Sequence, residues 1–181
     1  MANPEHQEQL DSVDIISVSL YRLGWLLLCT SFCCAAYSAL ISGATWQPLW
    51  LLAAAIGLQA YNLHLYSKTI RYLMQGAAWL GMWLAMAFYL WHWPMLAHAA
   101  LACFYFVASG LAFKESFCFQ LGWLRWLGAL LVLDYLLRFS PWLTLRGAVL
   151  LSISALVIYI AYQKCRQPMH YDIGKRDNYQ I

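Results

Sequence analysis

MLAHAALACFYFVASGLAF, Met95 to Phe113, holds nineteen residues without a charge. At about 1.5 Å per residue a helix of that length reaches roughly 29 Å, close to the roughly 30 Å depth of a bilayer's hydrocarbon core. Trp93-Pro94 precedes the run, placing proline where a first helical turn tolerates it, and Lys114-Glu115 closes it. Comparable apolar runs recur along the 181-residue chain, which is 63% hydrophobic and 10% charged, with a mean hydropathy of +0.57. Soluble domains average about 25% charged residues, so there is too little polar material here to cover a water-soluble globule. The expected fold is all-α, a polytopic bundle of membrane helices.

Six crossings are expected, over about 15–41, 46–67, 72–92, 95–113, 119–138 and 142–162. They form one membrane domain over 13–163, between polar tails at 1–12 and 164–181. Asp11, Ser12 or Asp14 stands ready to cap the first helix, Ser42-Gly43 stops it, and Ser140-Pro141 has the order of a cap followed by proline. The outward turns Trp46-Gln47-Pro48, Trp91-His92-Trp93-Pro94 and Pro141-Trp142 join tryptophan to proline, a pattern suited to anchoring at headgroup depth. Ala53 and Gly57, then Ala77, Gly81 and Ala85, put small residues at four-residue spacing where helices in lipid can approach closely.

Basic residues sort with this count. One side collects Arg22, Lys68, Arg71, Lys114, Arg125, Lys164, Arg166, Lys175 and Arg176, and the other only Arg138 and Arg146. Lys and Arg in short loops favour the cytoplasm, so both termini are expected there. The net charge of +3 is scattered singly and makes no stripe for nucleic acid. The first twenty residues contain Glu5, Glu8, Asp11 and Asp14 but no Lys or Arg. A cleaved signal peptide starts with a basic region, so the first apolar run is expected to stay in the mature protein.

Most residues with chemistry to offer fall on the cytoplasmic side of this scheme. Gln59 and Asn62 share one face of the second helix, His64 lies on another, and Arg71 and Gln75 open the third. Polar groups in a membrane helix need a partner or a water-filled cavity. An interhelical hydrogen-bond cluster accounts for this set, with a vestibule for a ligand or ion as the alternative. Lys114, Glu115, Cys118 and Arg125 make a second group. Lys114 has a sufficient role as a snorkelling, orientation-setting cation, whereas Glu115 does not, since acids contribute little to orientation.

Asp134 is the one acid well inside an apolar run, and Arg138 follows at the i,i+4 spacing of a same-face pair. A self-paired salt bridge near the outer surface is expected, with a proton or cation relay as the alternative. His92 and His98 flank an outer turn while His64 lies near the inner surface, so the depth match required of two haem-ligating histidines is missing. Cys29, Cys33, Cys34 and Cys103 fall in apolar spans, Cys118 and Cys165 on the reducing side, and no CxxC pair occurs. Packing is their expected role. Neither a nucleophile-base-acid set nor a phosphate loop nor HExxH is present, so no catalytic residue, metal or cofactor is assigned.

HLYSKTIRYLMQ (His64–Gln75), GLAFKESFCF (Gly110–Phe119) and YDIG (Tyr171–Gly174) together resemble the domain of unknown function 2301 group of small predicted integral membrane proteins. FKESFCF is the most specific element, similar to that family's FKE-x-FCF core, and the resemblance spans about Tyr21 to Gly174. It implies a multi-pass membrane fold in a bacterial plasma (inner) membrane, or a thylakoid membrane if the chain is cyanobacterial. It implies no established activity and carries over no catalytic residues. The function expected is a non-enzymatic partner-binding or assembly protein in contact with the lipid bilayer and with a membrane-protein partner or a second copy. A small transporter or channel with a cytoplasmic vestibule is the alternative, and a membrane redox or cofactor-binding protein the third.

Overall fold

Helices account for all the regular structure among the residues described by the computed structural model, 10–41, 47–65 and 67–173. The order is α1 (Ser12–Ile41), α2 (Leu49–Tyr61), α3 (Lys68–Trp91), α4 (Pro94–Cys118), a 3-10 turn (Gly122–Arg125), α5 (Trp126–Leu137), α6 (Leu143–Arg166) and α7 (His170–Ile173). The expected stop at Ser42-Gly43, Trp46 of the first outward turn, Gly174 of YDIG, the basic residues Lys175 and Arg176 and the tail before residue 10 lie outside the described residues.

The helix ends follow from local chemistry. At the start of α1, Asp14 N–H donates to Asp11 Oδ1 at 2.8 Å and Asp11 N–H donates to Asp14 Oδ2 at 3.1 Å. This reciprocal capping satisfies two donors that the first turn leaves unpaired. Between α3 and α4 the chain reverses in two residues. His92 takes a left-handed φ of 55° and its N–H donates to Phe88 O at 2.8 Å. Pro94 then opens α4, where a missing N–H costs nothing.

Beyond the apolar run, α4 continues to Cys118 and ends in a Schellman motif. Gln120 is left-handed at φ 56°, Leu121 N–H donates to Ser116 O at 2.9 Å, and Gln120 N–H donates to Phe117 O at 3.3 Å. This cap swings the chain into the 3-10 turn and α5.

Consecutive helices α1 to α6 pack against one another, and α6 returns to α1 to close the ring. Tyr21, Trp25, Leu28 and Phe32 of α1 meet Leu52 and Ile56 of α2, Phe104 and Leu111 of α4, and Ile153 and Val157 of α6 in one core. The outside is equally apolar: Trp79, Leu80 and Trp83 on α3, Val132 and Leu136 on α5, and Leu151 on α6 are exposed. Gln59, Glu115, Asp134, Arg146 and Lys164 are buried. Charges inside and tryptophan outside is an arrangement water does not stabilise and lipid does.

Four helices, α1, α3, α4 and α6, are each long and apolar enough to cross a membrane. With 13 residues α2 is about 20 Å long, and α5 with 12 about 18 Å, both shorter than the apolar runs containing them. Their brevity has local causes. Asn62 leaves the helix as the C-cap of α2, and Gly122–Arg125 tighten into the 3-10 turn before α5.

Small residues mark the tightest helix crossings. A Cβ on Gly81 would stand 2.7 Å from Phe104 Cε1, and one on Gly24 would stand 2.5 Å from Gln59 Cγ and 2.9 Å from the Ala55 carbonyl oxygen. Gly24→Ala is therefore expected to lower stability by about 1–3 kcal/mol, because a backbone atom has to move. At Gly76 an added Cβ meets nothing within 4 Å. Gly76→Ala is expected to leave stability unchanged or raise it by up to about 1 kcal/mol through helix propensity. Unfolding of the two variants in detergent, followed by tryptophan fluorescence, separates these outcomes.

Candidate functional site

Glu115 lies two residues beyond the end of the apolar run, on a helix face that turns into the bundle, and its side chain is fully buried. A buried carboxylate is tolerable only with charge and hydrogen-bond partners, and three helices supply them. From α1, the Tyr21 hydroxyl donates to Glu115 Oε1 at 2.7 Å. Lys164 Nζ of α6 stands 2.8 Å from Oε2, and neighbouring Lys114 Nζ lies 3.8 Å from Oε1. Lys164 also pairs with Asp172 Oδ1 of α7. Asp172 Oδ2 in turn accepts from Arg22 Nη2 at 2.7 Å and from Arg22 Nε at 2.9 Å.

Two carboxylates and three cations thus form a chain, Lys114–Glu115–Lys164–Asp172–Arg22, that ties α1, α4, α6 and α7 together. Aromatic rings line it. Lys114 Nζ sits 4.6 Å from the Tyr21 ring centroid, and Lys164 Nζ lies 5.5 Å from that of Phe119. The negative ring faces add to the stabilisation of both cations.

FKESFCF therefore divides by face. Glu115 and Ser116 are buried, while Phe113 and Phe117 are exposed, packed edge to face with centroids 5.0 Å apart. Arg125 lies over both outer rings, 4.9 Å from the Phe117 centroid and 5.5 Å from that of Phe113. Lys114, Glu115 and Arg125 are in this way brought to one end of α4, with half-buried Cys118 beside them as its last residue.

The other expected residues do not join. Asn62 Nδ2 donates to Leu58 O of its own helix at 2.8 Å, and Gln75 Nε2 donates to Ala60 O at 3.1 Å. Arg71 Nη1 reaches Leu65 O at 3.4 Å, so these three fasten the turn between α2 and α3. His64 shares a 3.1 Å hydrogen bond with Ser17 of α1. Gln59 is fully buried, facing Gly24, and neither end of its amide has a hydrogen-bond partner among the described residues.

Sequence reasoning missed Tyr21, Arg22, Lys164 and Asp172 as members of the site. One signal was present: Arg22 stands well inside the first expected crossing, where an unpaired cation is costly and a buried carboxylate would supply its partner.

Asp134 lies in a second buried cluster. Its expected partner Arg138 is present, with Nε 3.5 Å from Oδ2, but Arg146 of α6 is closer, with Nε donating to Oδ1 at 2.9 Å. The Tyr105 hydroxyl of α4 donates to Oδ2 at 2.6 Å. Asp134 is fully buried, so it is not the water-exposed pair that i,i+4 spacing alone suggests.

Removing one partner of a buried ion pair costs about 3–5 kcal/mol, because the other charge stays behind. Lys164→Met is expected to destabilise by about that amount in detergent denaturation. Combining it with Glu115→Gln should recover part of the loss, giving a coupling energy on the order of 1–3 kcal/mol in a double-mutant cycle.

Stability should also depend on pH in two steps. Burial raises the Asp172 carboxyl, but Lys164, Lys114 and Arg22 outweigh it and hold the group below its usual range. Its contribution is thus present above an unfolded pKa of about 3.9 and is lost as pH falls through the lower folded value. Burial, aided by Lys114, pushes His64 below its usual range, so the folded state resists protonation and stability begins to fall as pH drops through about 6.5. Hydrogen exchange of residues 168–173 should report only the acid step, and global unfolding both.

No solved structure matches the chain. An uncharacterized protein of Haemophilus influenzae is 32% identical over 196 aligned positions that take in 100% of each chain. The family model described as an uncharacterized integral membrane protein matches residues 58–180, a span that includes Glu115, Asp134, Lys164 and Asp172. The chain therefore belongs to the domain of unknown function 2301 family of integral membrane proteins.

Proposed function

We propose that this protein crosses a bacterial plasma membrane six times with both termini in the cytoplasm, and that it binds a membrane-protein partner there as an assembly protein. Membrane embedding and family membership supply the frame. The observation that carries the functional part is the split of FKESFCF, in which the buried Glu115–Lys164 pair holds α4 in place while Phe113, Phe117 and Arg125 form a stacked group on the outside. Trp126, which follows Arg125 at the start of α5, is exposed as well. Aromatic rings with arginine are the residues that most often dominate binding energy at interfaces.

The short helices support the same reading. Together, the 3-10 turn and α5 span about 26 Å, less than a bilayer core, and such mismatch favours association with neighbouring proteins. The six-crossing topology is supported by Arg22, Lys114, Lys164 and Arg166, which lie toward the end where α1 begins and α6 ends, whereas Arg138 and Arg146 do not.

Topology and binding are tested separately. In spheroplasts, a membrane-impermeant maleimide should label a Trp142→Cys variant stripped of its native cysteines and should fail to label a variant retaining Cys165 alone. The opposite pattern would reverse the orientation. For binding, a photo-crosslinking side chain at Phe117 should capture one discrete protein in native membranes, and Arg125→Ala should abolish the adduct. A Phe117 profile no different from that of a lipid-facing control at Val132 would remove the partner-binding proposal.

A further inference from the structure

The cluster around Asp134 has more positive charge than it can neutralise. Its one carboxylate faces two guanidinium groups, Arg146 with Nε at 2.9 Å and Arg138 with Nε at 3.5 Å. Tyr105 occupies part of the same carboxylate, with its hydroxyl 2.6 Å from Oδ2. The Arg146 side chain is 0% exposed, yet neither Nη1 nor Nη2 has a hydrogen-bond partner among the described residues. Gln47 Nε2, two residues before α2, is likewise buried without one among the described residues. Arginine does not shed its proton to escape burial, and each unmet donor to a charged group is expensive.

Next to these groups lies a cavity of about 310 Å³ between the start of α2, the end of α3, the start of α4 and the end of α5. Arg138 and Gln47 belong to both the cluster and the cavity wall, with an Arg138 Nη2 hydrogen bond to Gln47 Oε1 joining them. His98 adds a third polar group, and Leu49, Phe88 and Leu101 make much of the remaining wall apolar. The Arg138 side chain is 10% exposed. It thus forms a nearly buried cationic floor to a pocket whose volume is at the lower end of those that take small molecules.

We infer that this end of the bundle binds an oxyanion with an apolar body, its carboxylate or phosphate group held by Arg138 with Gln47 and countering the charge shared with Arg146. A guanidinium fork matches the two oxygens of either group, and the apolar wall takes the rest. Binding supplies the missing negative charge and the acceptor for Gln47 Nε2. A phospholipid headgroup and a free small anion carry the same chemistry.

Protein in dodecyl maltoside, a detergent without phosphate or carboxylate, titrated with phenyl phosphate, benzoate and the neutral analogue benzyl alcohol, tests this by thermal shift and calorimetry. A parallel arm uses phosphatidylglycerol nanodiscs, with retained lipid counted by native mass spectrometry. Saturable binding of an anionic probe but not benzyl alcohol supports a free anion. Retention of phosphatidylglycerol without probe binding supports a headgroup. In either case Arg138→Gln should weaken the interaction by about tenfold or more.

Should Arg138→Gln fail to fold, Ala97→Leu intrudes on the cavity without touching the charges and should weaken binding, as should Gln47→Leu. Equal effects of benzyl alcohol and benzoate, no response to any anion or anionic lipid, or undiminished binding in Ala97→Leu would each overturn the proposal.

Discussion

The ammonium of Lys164 stands between Glu115 and Asp172, and the end of the bundle where α6 finishes is arranged around it. A cation in this position is tolerable only if both carboxylates arrive at the same depth, which requires α4, α6 and α7 to stop in register. Arg22 then neutralises the second oxygen of Asp172 from α1. The docking of a short terminal helix of four residues, far below the length at which a helix is stable alone, follows from this pairing. Apolar burial holds the remainder of the bundle, but it has no direction and sets no such register.

The two buried clusters differ in what they leave unsatisfied. Around Glu115, both carboxylates have cations on them and the third cation, Lys114, is 14% exposed and stacked on Tyr21. Around Asp134, two guanidinium groups share one carboxylate, and Arg146 keeps two buried nitrogens without acceptors among the described residues. In the first arrangement every charge has an opposite charge on it, and the pairs lock the helix positions. In the second, Arg138 and Gln47 also line a cavity, and Gln47 Nε2 has no acceptor among the described residues.

Much of the fold was legible because its cause is local. Apolar run length, the Asp11 to Asp14 cap and Trp93-Pro94 each report on a few consecutive residues, and the helices begin and end near them. Where hydropathy misplaced an end, a distant partner was responsible. The apolar run stops at Phe113, but α4 continues to Cys118 because Glu115, which looks like a residue leaving the membrane, is neutralised by Lys164. His64 looks like part of a helix and lies beyond the end of α2, bonded to Ser17 of another element. The i,i+4 rule found Arg138 for Asp134 and had no means of finding Arg146, which reaches it from the next helix.

By itself, the sequence determined the solvent of this protein: a chain with 10% charged residues and bilayer-length apolar runs has nowhere else to be stable. It also determined which residues were anomalous, since a charge in an apolar run is costly wherever the chain folds. Tertiary structure alone decided what those charges meet. Pairing depends on helix rotation and depth, quantities that arise from packing six helices at once and that no window of consecutive residues contains. Glu115 became part of a lock on helix positions and Arg146 part of a second cluster for that reason.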